Sequence, residues 1–347
     1  MKITVAIPCY NLEDRISACL ESVISQDYQN LEILVIDDCS TDHSVEVIND
    51  IISKHPEREI RLIVNTVNQG INIVRNYLIN EARGEYMFFI DGDDTIEPGT
   101  LSLFYRRMME THVELVCGCH RKKDFIGNTY LVKQFPEDTV IGDYAYATYI
   151  ERHIHGYFYQ GVMNRLYRLD FLRSHNICCS TDYSIHEDCL FTFKVVQSAR
   201  SISFIHDITY NYNDVQNSIC HQKVDLKFLQ VYRAVIKSVI DTENRFESSL
   251  KGQQPPYGIR YLLNYICLTN GLLKKCLEAD VDKDDKIQLL IWLRAQYRNN
   301  NMTWSNIMGP YNKISYLILI SPFSYPLFRF YLSHLKTVAK IVRLFDR

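Results

Sequence analysis

The first hundred residues alternate two periodicities at short spacing. Ile3 to Ile7 is a β-branched, apolar run, the pattern of a strand buried on both faces. Ile16, Cys19, Leu20, Val23 and Ile24 then recur at i, i+3, i+4, i+7 and i+8, one apolar helical stripe. Leu31 to Ile36 predicts a second strand, stopped by Asp37-Asp38. Val45, Ile48, Ile51 and Ile52 predict a second helix, with Asp42 ahead of it as N-cap. Ile60 to Val64 reads as a third strand, and Ile71, Val74, Leu78 and Ala82 as a third helix that Gly84 can end. Tyr86 to Ile90 predicts a fourth strand, running directly into Asp91-Gly92-Asp93-Asp94.

Repeated βα units imply an α/β fold with a mostly parallel sheet flanked by helices. In open sheets of this class, ligands bind beyond the carboxyl ends of the strands. Those ends carry Pro8-Cys9-Tyr10-Asn11, Asp37-Asp38 and Asp91-Gly92-Asp93-Asp94, so polar and acidic clusters should meet along one edge. Glu114 to Cys119 predicts another strand, after which periodicity weakens to roughly residue 160; loops of that length usually carry function. From Gln222 onward long helical patterns dominate, broken at Gln253-Gln254-Pro255-Pro256. The expected organisation is a catalytic unit over 1–221 and a helical extension over 222–347.

Composition narrows the partners. The 347 residues are 47% hydrophobic and 23% charged, which suits a soluble chain with a real core. A formal net charge of −3 gives no global argument for nucleic-acid binding, which would favour a basic face or stripe. The eleven cysteines lack metal-site spacing (Cys117-x-Cys119, Cys178-Cys179), which predicts free thiols in a reducing cytosol. Met1-Lys2-Ile3 enters a strand with no secretory leader pattern, and no apolar run reaches the ~18 residues of a membrane span. A cytoplasmic protein is expected.

Asp91, Asp93 and Asp94 crowd the end of an apolar strand, where burial and like charge raise carboxyl pKa values unless a cation intervenes. Hard oxygen ligands suit Mg²⁺ or Mn²⁺, which combine one or two protein carboxylates with substrate phosphate oxygens. Asp-Gly-Asp-Asp is also good turn chemistry; its position directly after Tyr86-Met87-Phe88-Phe89-Ile90 favours the metal. The segment Asp37 to Asp42 reads either as acids favoured at a helix N-terminus or as a carboxylate accepting a nucleobase N–H. No Gly-x-Gly-x-x-Gly follows a strand and no Walker lysine occurs, so dinucleotide and P-loop readings fall. A phospho-signal receiver also clusters aspartates at strand ends but is shorter. A nucleotidyl transferase would show a glycine-rich basic loop where Pro8 to Asp14 stands.

Val5-Ala6-Ile7-Pro8-Cys9-Tyr10-Asn11, Ser22-Val23-Ile24-Ser25-Gln26-Asp27-Tyr28, Ile33-Leu34-Val35-Ile36-Asp37-Asp38-Cys39-Ser40-Thr41-Asp42 and Asn68-Gln69-Gly70 occur in order. Arg75-Asn76, Gly84-Glu85-Tyr86, Phe89-Ile90-Asp91-Gly92-Asp93-Asp94, Asn164-Arg165-Leu166-Tyr167, His186-Glu187-Asp188-Cys189-Leu190-Phe191, Tyr210-Asn211-Tyr212 and Asn217-Ser218-Ile219 continue the set. Together they resemble the family 2 inverting glycosyltransferases with the GT-A fold, over residues 3 to 220. The resemblance implies a nucleotide-sugar donor, with uridine as the default base, and a glycan acceptor, commonly lipid-linked. It implies that Pro8, Tyr10 and Asn11 wall the base and ribose, with Tyr10 stacking. Asp38 would bond the base with Arg75 beside it, Asp91 would contact ribose or metal, and Asp93 would be the principal metal ligand. Asp188 would be the general base, with its neighbour Glu187 as competitor. Val74, Tyr77-Leu78 and His186 depart from the family pattern and bear on donor detail.

Towards the C-terminus, Phe328, Tyr331, Leu332, Leu335, Val338, Ala339, Val342 and Phe345 form an apolar helical face opposite Arg329, Lys336, Lys340 and Arg343. A basic amphipathic helix reads as an anchor on an anionic membrane surface, as an oligomerisation helix, or as a helix packed on the protein's own core. The basic residues that dominate its polar face favour the membrane.

Overall fold

The structure, a computed structural model, describes residues 1–124, 128–131, 134, 136–142, 145, 148–149, 161–182, 187–214, 225–249, 279 and 281–299. The chain divides into two compact units, Met1–Cys220 and His221–Arg347. The first unit opens with β1 (Ile3–Cys9), α1 (Ile16–Ile24), β2 (Leu31–Asp37), α2 (Ser44–Lys54), β3 (Glu59–Val64), α3 (Ile71–Glu81) and β4 (Tyr86–Phe89), as the periodicity predicts. These strands lie in the order β3-β2-β1-β4, all parallel. Every residue of β1 and β2 is buried, and the whole predicted stripe of α1 packs into the core.

The rest of the sheet is mixed. There follow β5 (Thr95–Ile96), α4 (Thr100–Thr111), β6 (Leu115–Lys123), β7 (Thr129–Leu131), β8 (Asp138–Ile141), β9 (Arg165–Arg168), α5 (Leu169–Ser174), α6 (Glu187–Ser198) and β10 (Ser201–Asn213). Beyond β4 the order is β9-β6-β10-β5. β9 is antiparallel to both β4 and β6, whereas β10 runs parallel to β6. The expected parallel sheet therefore holds for its first half, and β9 reverses it. β10 was hidden from the sequence reading because its pairing slips between Phe204 and Ile208, where His206 and Asp207 turn outward. Such an irregularity interrupts the strict alternation by which a strand is recognised.

Two interior contacts hold the layers. Phe89, Tyr167 and Phe191 form an edge-to-face trio with centroids 6.0–6.2 Å apart, joining β4, β9 and α6. Inside β2, Glu32 is fully buried, accepting Thr4 Oγ1 at 2.6 Å, Arg61 Nη1 at 2.6 Å and the Arg83 N–H at 2.7 Å. Burial pushes this carboxyl up, but the donors from Thr4, Arg61 and Arg83 outweigh it and hold its pKa below the usual range.

Two local expectations change. The first residue of α2 is Ser44, and Asp42 acts two residues ahead, accepting Ser44 N–H at 3.0 Å and Ser44 Oγ at 2.6 Å through one oxygen. α3 ends at Glu81, so Gly84 is no cap. A Cβ on Gly84 would stand 2.6 Å from Thr4 N and 2.8 Å from Lys2 O, so β1's backbone demands the glycine.

In the second unit, α7 (Leu226–Ser249) and α8 (Lys283–Asn299) are described, with the Arg233 guanidinium 5.1 Å from the Trp292 ring centroid. The basic helix read from Phe328 to Phe345, the Asn217-Ser218-Ile219 motif and His186 lie outside the described residues. Among the described residues, no helix is long and apolar enough to cross a membrane and no cysteine forms a disulfide.

Gly84→Ala should lower unfolding stability by about 2 kcal/mol, because the clash is with backbone that cannot rotate away. The urea midpoint measures this, and an unchanged midpoint would contradict the close approach.

Candidate active site

The carboxyl ends of β1, β2 and β4 are knitted by their loops. Asn11 turns the chain out of β1 with φ 53°, a left-handed conformation asparagine tolerates. Its N–H donates to Ser40 Oγ at 2.9 Å, and its Oδ1 accepts the Thr41 N–H at 2.8 Å. Leu12 N–H to Ser44 Oγ (2.8 Å) and Glu13 N–H to Asp42 Oδ2 (3.0 Å) continue the seam. Pro8 is buried in β1 opposite Ile36, while the Tyr10 ring is 48% exposed at the mouth of this seam. That exposure leaves a face of the ring open at the end of β1.

The two aspartates ending β2 face different loops. Asp37 turns back on its own loop, accepting Ser40 N–H at 2.9 Å and Ser40 Oγ at 2.5 Å. Asp38 reaches across to the β3–α3 loop and is almost fully buried. It accepts Asn65 Nδ2 at 2.8 Å, the Gln69 N–H at 3.0 Å and the Gly70 N–H at 2.7 Å. Neither of these two carboxylates bonds the start of α2; within the Asp37–Asp42 segment it is Asp42 that accepts the Ser44 N–H. Asp38 orders the approach to α3, whose N-cap is Gly70.

The acidic turn after β4 is seated on β10. Tyr210, buried on β10, donates its hydroxyl to Asp94 Oδ2 at 2.7 Å and accepts the Asp91 N–H at 3.2 Å. The Asn213 N–H donates to Asp94 Oδ1 at 2.7 Å, and Asn213 Nδ2 donates to the Asp93 carbonyl at 2.9 Å. Beneath the turn, a Cβ on Gly92 would meet Leu12 Cδ1 at 2.7 Å and the Pro8 carbonyl at 3.0 Å, so a larger residue would have to displace the Leu12 side chain and press on β1. With Asp94 committed to β10, Asp91 and Asp93 are the carboxylates left partly open to the edge. Arg75, on the buried face of α3, pairs with Asp91 at 3.2 Å (Nη2 to Oδ1). The structure thus couples Arg75 to the acidic turn.

Burial first, then the Asp91 charge, push the Asp93 carboxyl up to about 6, with Arg15 pulling back. Such a carboxylate gains most from a cation. Among the described residues, no three or more His, Cys, Asp or Glu side chains converge to hold a metal on protein ligands alone. Two carboxylates of this kind fit Mg²⁺ or Mn²⁺, which complete their shell with phosphate oxygens. His120, on β6 opposite Tyr210, is driven down to about 4 by burial and by Arg165 and Lys122, so its imidazole is neutral at pH 7 and offers no cation.

Asp188 stands in the first turn of α6, half-buried, and Phe191 one turn on locks that helix into the aromatic trio. The side chain of Glu187 lies outside the described residues. Tyr210 and Asn213 were not read as site residues. The Tyr210-Asn211-Tyr212 motif was the available signal, but only β10's pairing beside the turn assigns it a task.

Residues 4–175 match the profile of Glycosyl transferase family 2. The chain carries a domain of this glycosyltransferase family. Over 215 residues it is 31% identical to a poly(ribitol-phosphate) beta-glucosyltransferase of Bacillus spizizenii, covering 61% of this chain and 32% of that one. Over 222 residues it is 29% identical to the putative glycosyltransferase EpsH of Bacillus subtilis, covering 62% of each. The chain thus spans less than two thirds of the length of these curated relatives. In fold it is similar to TarS 1-349 of S. aureus in complex with UDP-GlcNAc, with TM-score 0.69, 20% identity, and 97% of this chain and 92% of that one covered. A mannosyltransferase of Pyrobaculum calidifontis in complex with GDP-Man and Mn2+ matches at TM-score 0.51 and 15% identity, over 99% and 87% of the two chains. The mixed α/β sheet with flanking helices is the GT-A fold.

Protons and a divalent cation should compete for Asp93. With its pKa near 6, Mn²⁺ affinity should fall about tenfold between about pH 7 and about pH 5. Calorimetric titration at both values checks this, and a pH-independent affinity would remove Asp93 from the cation site.

Proposed function

We propose that this chain is an inverting glycosyltransferase that moves a sugar from a nucleotide-diphosphate donor, by default a uridine one, to a hydroxyl of a cell-surface polysaccharide. The observation that carries this reading is the Asp91–Asp93 pair after β4 at the sheet edge, Asp91 held by Arg75 and Asp93 partly open with its pKa raised, in a glycosyltransferase family 2 domain. The names of relatives support the substrate class: poly(ribitol-phosphate) transferases act on a polymer, and TarS was crystallised with UDP-GlcNAc.

In this reading Tyr10 stacks on the base, with Pro8 and Asn11 completing the wall. Asp38 holds the β3–α3 loop against the base and keeps a lone-pair site for its N–H, since three donors leave part of a carboxylate's capacity open. Mn²⁺ or Mg²⁺ bound by Asp93 and Asp91 would neutralise charge on the departing diphosphate. Asp188 accepts the proton of the acceptor hydroxyl as its oxygen bonds to the anomeric carbon. The bond from that carbon to the diphosphate oxygen breaks at the same time, and the diphosphate leaves with the electron pair. A single displacement of this kind inverts the anomeric centre. Residues 1–221 would be the catalytic unit. The helical extension over 222–347, through its terminal basic helix, would hold the enzyme to the cytoplasmic membrane surface near a lipid-linked acceptor.

Incubation with a panel of UDP- and GDP-sugars plus Mn²⁺, with released nucleoside diphosphate quantified, tests the reading. Turnover of one donor, abolished together with Mn²⁺-dependent donor binding in Asp93→Asn, is the expected result. Donor affinity unchanged in that variant would sink the metal assignment. Asp188→Asn should bind donor normally and lose at least about 100-fold in turnover. Retained turnover would pass the base role to Glu187, and no binding of any donor would leave a non-catalytic module.

A further inference from the structure

Arg75 and Asn76 are chain neighbours on α3 and reach in two directions. Arg75 grips Asp91 of the acidic turn, as described. The Asn76 carboxamide closes a double hydrogen bond on the backbone of Cys179. The Cys179 N–H donates to Asn76 Oδ1 at 2.8 Å, and Asn76 Nδ2 donates to the Cys179 carbonyl at 3.0 Å. A carboxamide presents donor and acceptor side by side, so one side chain can satisfy both backbone groups of one residue.

The same stretch is tied to the end of α3, where Arg173 Nη2 donates to the carbonyls of Ile79 (2.8 Å), Asn80 (3.1 Å) and Ala82 (2.8 Å). From the other side, Lys194 Nζ on α6 donates to the Cys178 carbonyl at 3.2 Å. Cys178-Cys179 is therefore a joint between α3, which touches the acidic turn, and α6, whose first turn carries Asp188. Ile177 and Cys179 are buried beneath it, so the joint is seated and not merely bridged across solvent.

We propose that Asn76 is a positioning residue that sets α6, and with it Asp188, relative to the acidic turn held by the adjacent Arg75. The inference rests on Asp188 being the proton acceptor. Removing the carboxamide leaves Arg75 and Asp91 in place, so the donor half of the site survives. The first turns of α6, whose body stays seated by Phe191, lose one tie to α3, and a displacement of about 1 Å in a reacting group costs on the order of 100-fold in rate.

The test compares wild type with Asn76→Ala, Asn76→Asp, Lys194→Met and Asp188→Asn. Amide hydrogen exchange across Glu187–Ser198 is measured with UDP or GDP and Mn²⁺ present. Affinity for the same nucleotides is measured by calorimetry, and turnover on whichever donor wild type hydrolyses. Asn76→Ala should speed exchange in the first turns of that helix by about tenfold or more. It should keep nucleotide affinity within about twofold and lower kcat by about 10- to 100-fold. Asn76→Asp should do no better, since it sets a second oxygen against the Cys179 carbonyl, and Lys194→Met should loosen the helix to a lesser degree. Unchanged exchange over Glu187–Ser198 overturns the proposal, as does a loss of nucleotide affinity equal to the loss in kcat. Wild-type kcat in Asn76→Ala beside an inactive Asp188→Asn would remove Asn76 alone. Full turnover in Asp188→Asn would remove the base reading and this inference with it.

Discussion

Three carboxylates at the end of a buried strand repel one another and lose hydration, and the site depends on how that cost is met. Asp94 is met wholly by protein: the Tyr210 hydroxyl and the Asn213 N–H take one oxygen each. Burial and the neighbouring Asp93 and Asp91 charges still push its carboxyl well up, so the clamp works against a standing electrostatic load. Asp91 is met in part by Arg75 at 3.2 Å. Asp93 is left with its pKa near 6, and it is the group with most to gain from a cation. One clamp on β10 thereby sorts three neighbouring acids into an anchored, a paired and an open carboxylate.

That clamp explains why the sheet cannot be a simple parallel array. β10 reaches the acidic turn because β9 inserts antiparallel between β4 and β6 and carries the sheet onward. β5, the two residues after the turn, then pairs with β10 at Ile96–Tyr210 and Thr95–Asn211. The reversal that looks like a departure from the βα rhythm brings the far edge of the sheet back to the turn. The aromatic trio of Phe89, Tyr167 and Phe191 uses the same reversal to seat α6 over β4 and β9.

The first half of the unit is connected by polar side chains as closely as by its core. Asp42, Asn11 and Ser40 sew the β1 loop to the β2 loop, and Asp38 sews β2 to the loop before α3. Of these, Asn11 and Asp38 were expected to contact ligand and Asp42 to cap a helix. The structure shows several of them spending hydrogen-bond capacity on each other, which makes a rigid rim. Pre-organisation of that kind lowers the ordering cost of binding a flexible nucleotide.

The sequence by itself determined the elements whose signal is local. β1 to β4 and α1 to α3 were legible because continuous apolar runs and the i, i+3, i+4 stripe report burial directly. The clusters at the strand ends were legible too, since the direction of a parallel strand decides which edge its terminal residues occupy. Tertiary structure alone decided what each acid does. Asp91, Asp93 and Asp94 look alike in sequence, and only a strand more than a hundred residues later, carrying Tyr210 and Asn213, tells them apart. Likewise Glu32, a carboxylate inside a buried strand, finds its donors only where Thr4, Arg61 and Arg83 close around it. Gly84 reads as a helix stop until β1 lies against it. Periodicity reports burial residue by residue, whereas partners far apart in the chain are chosen by the fold.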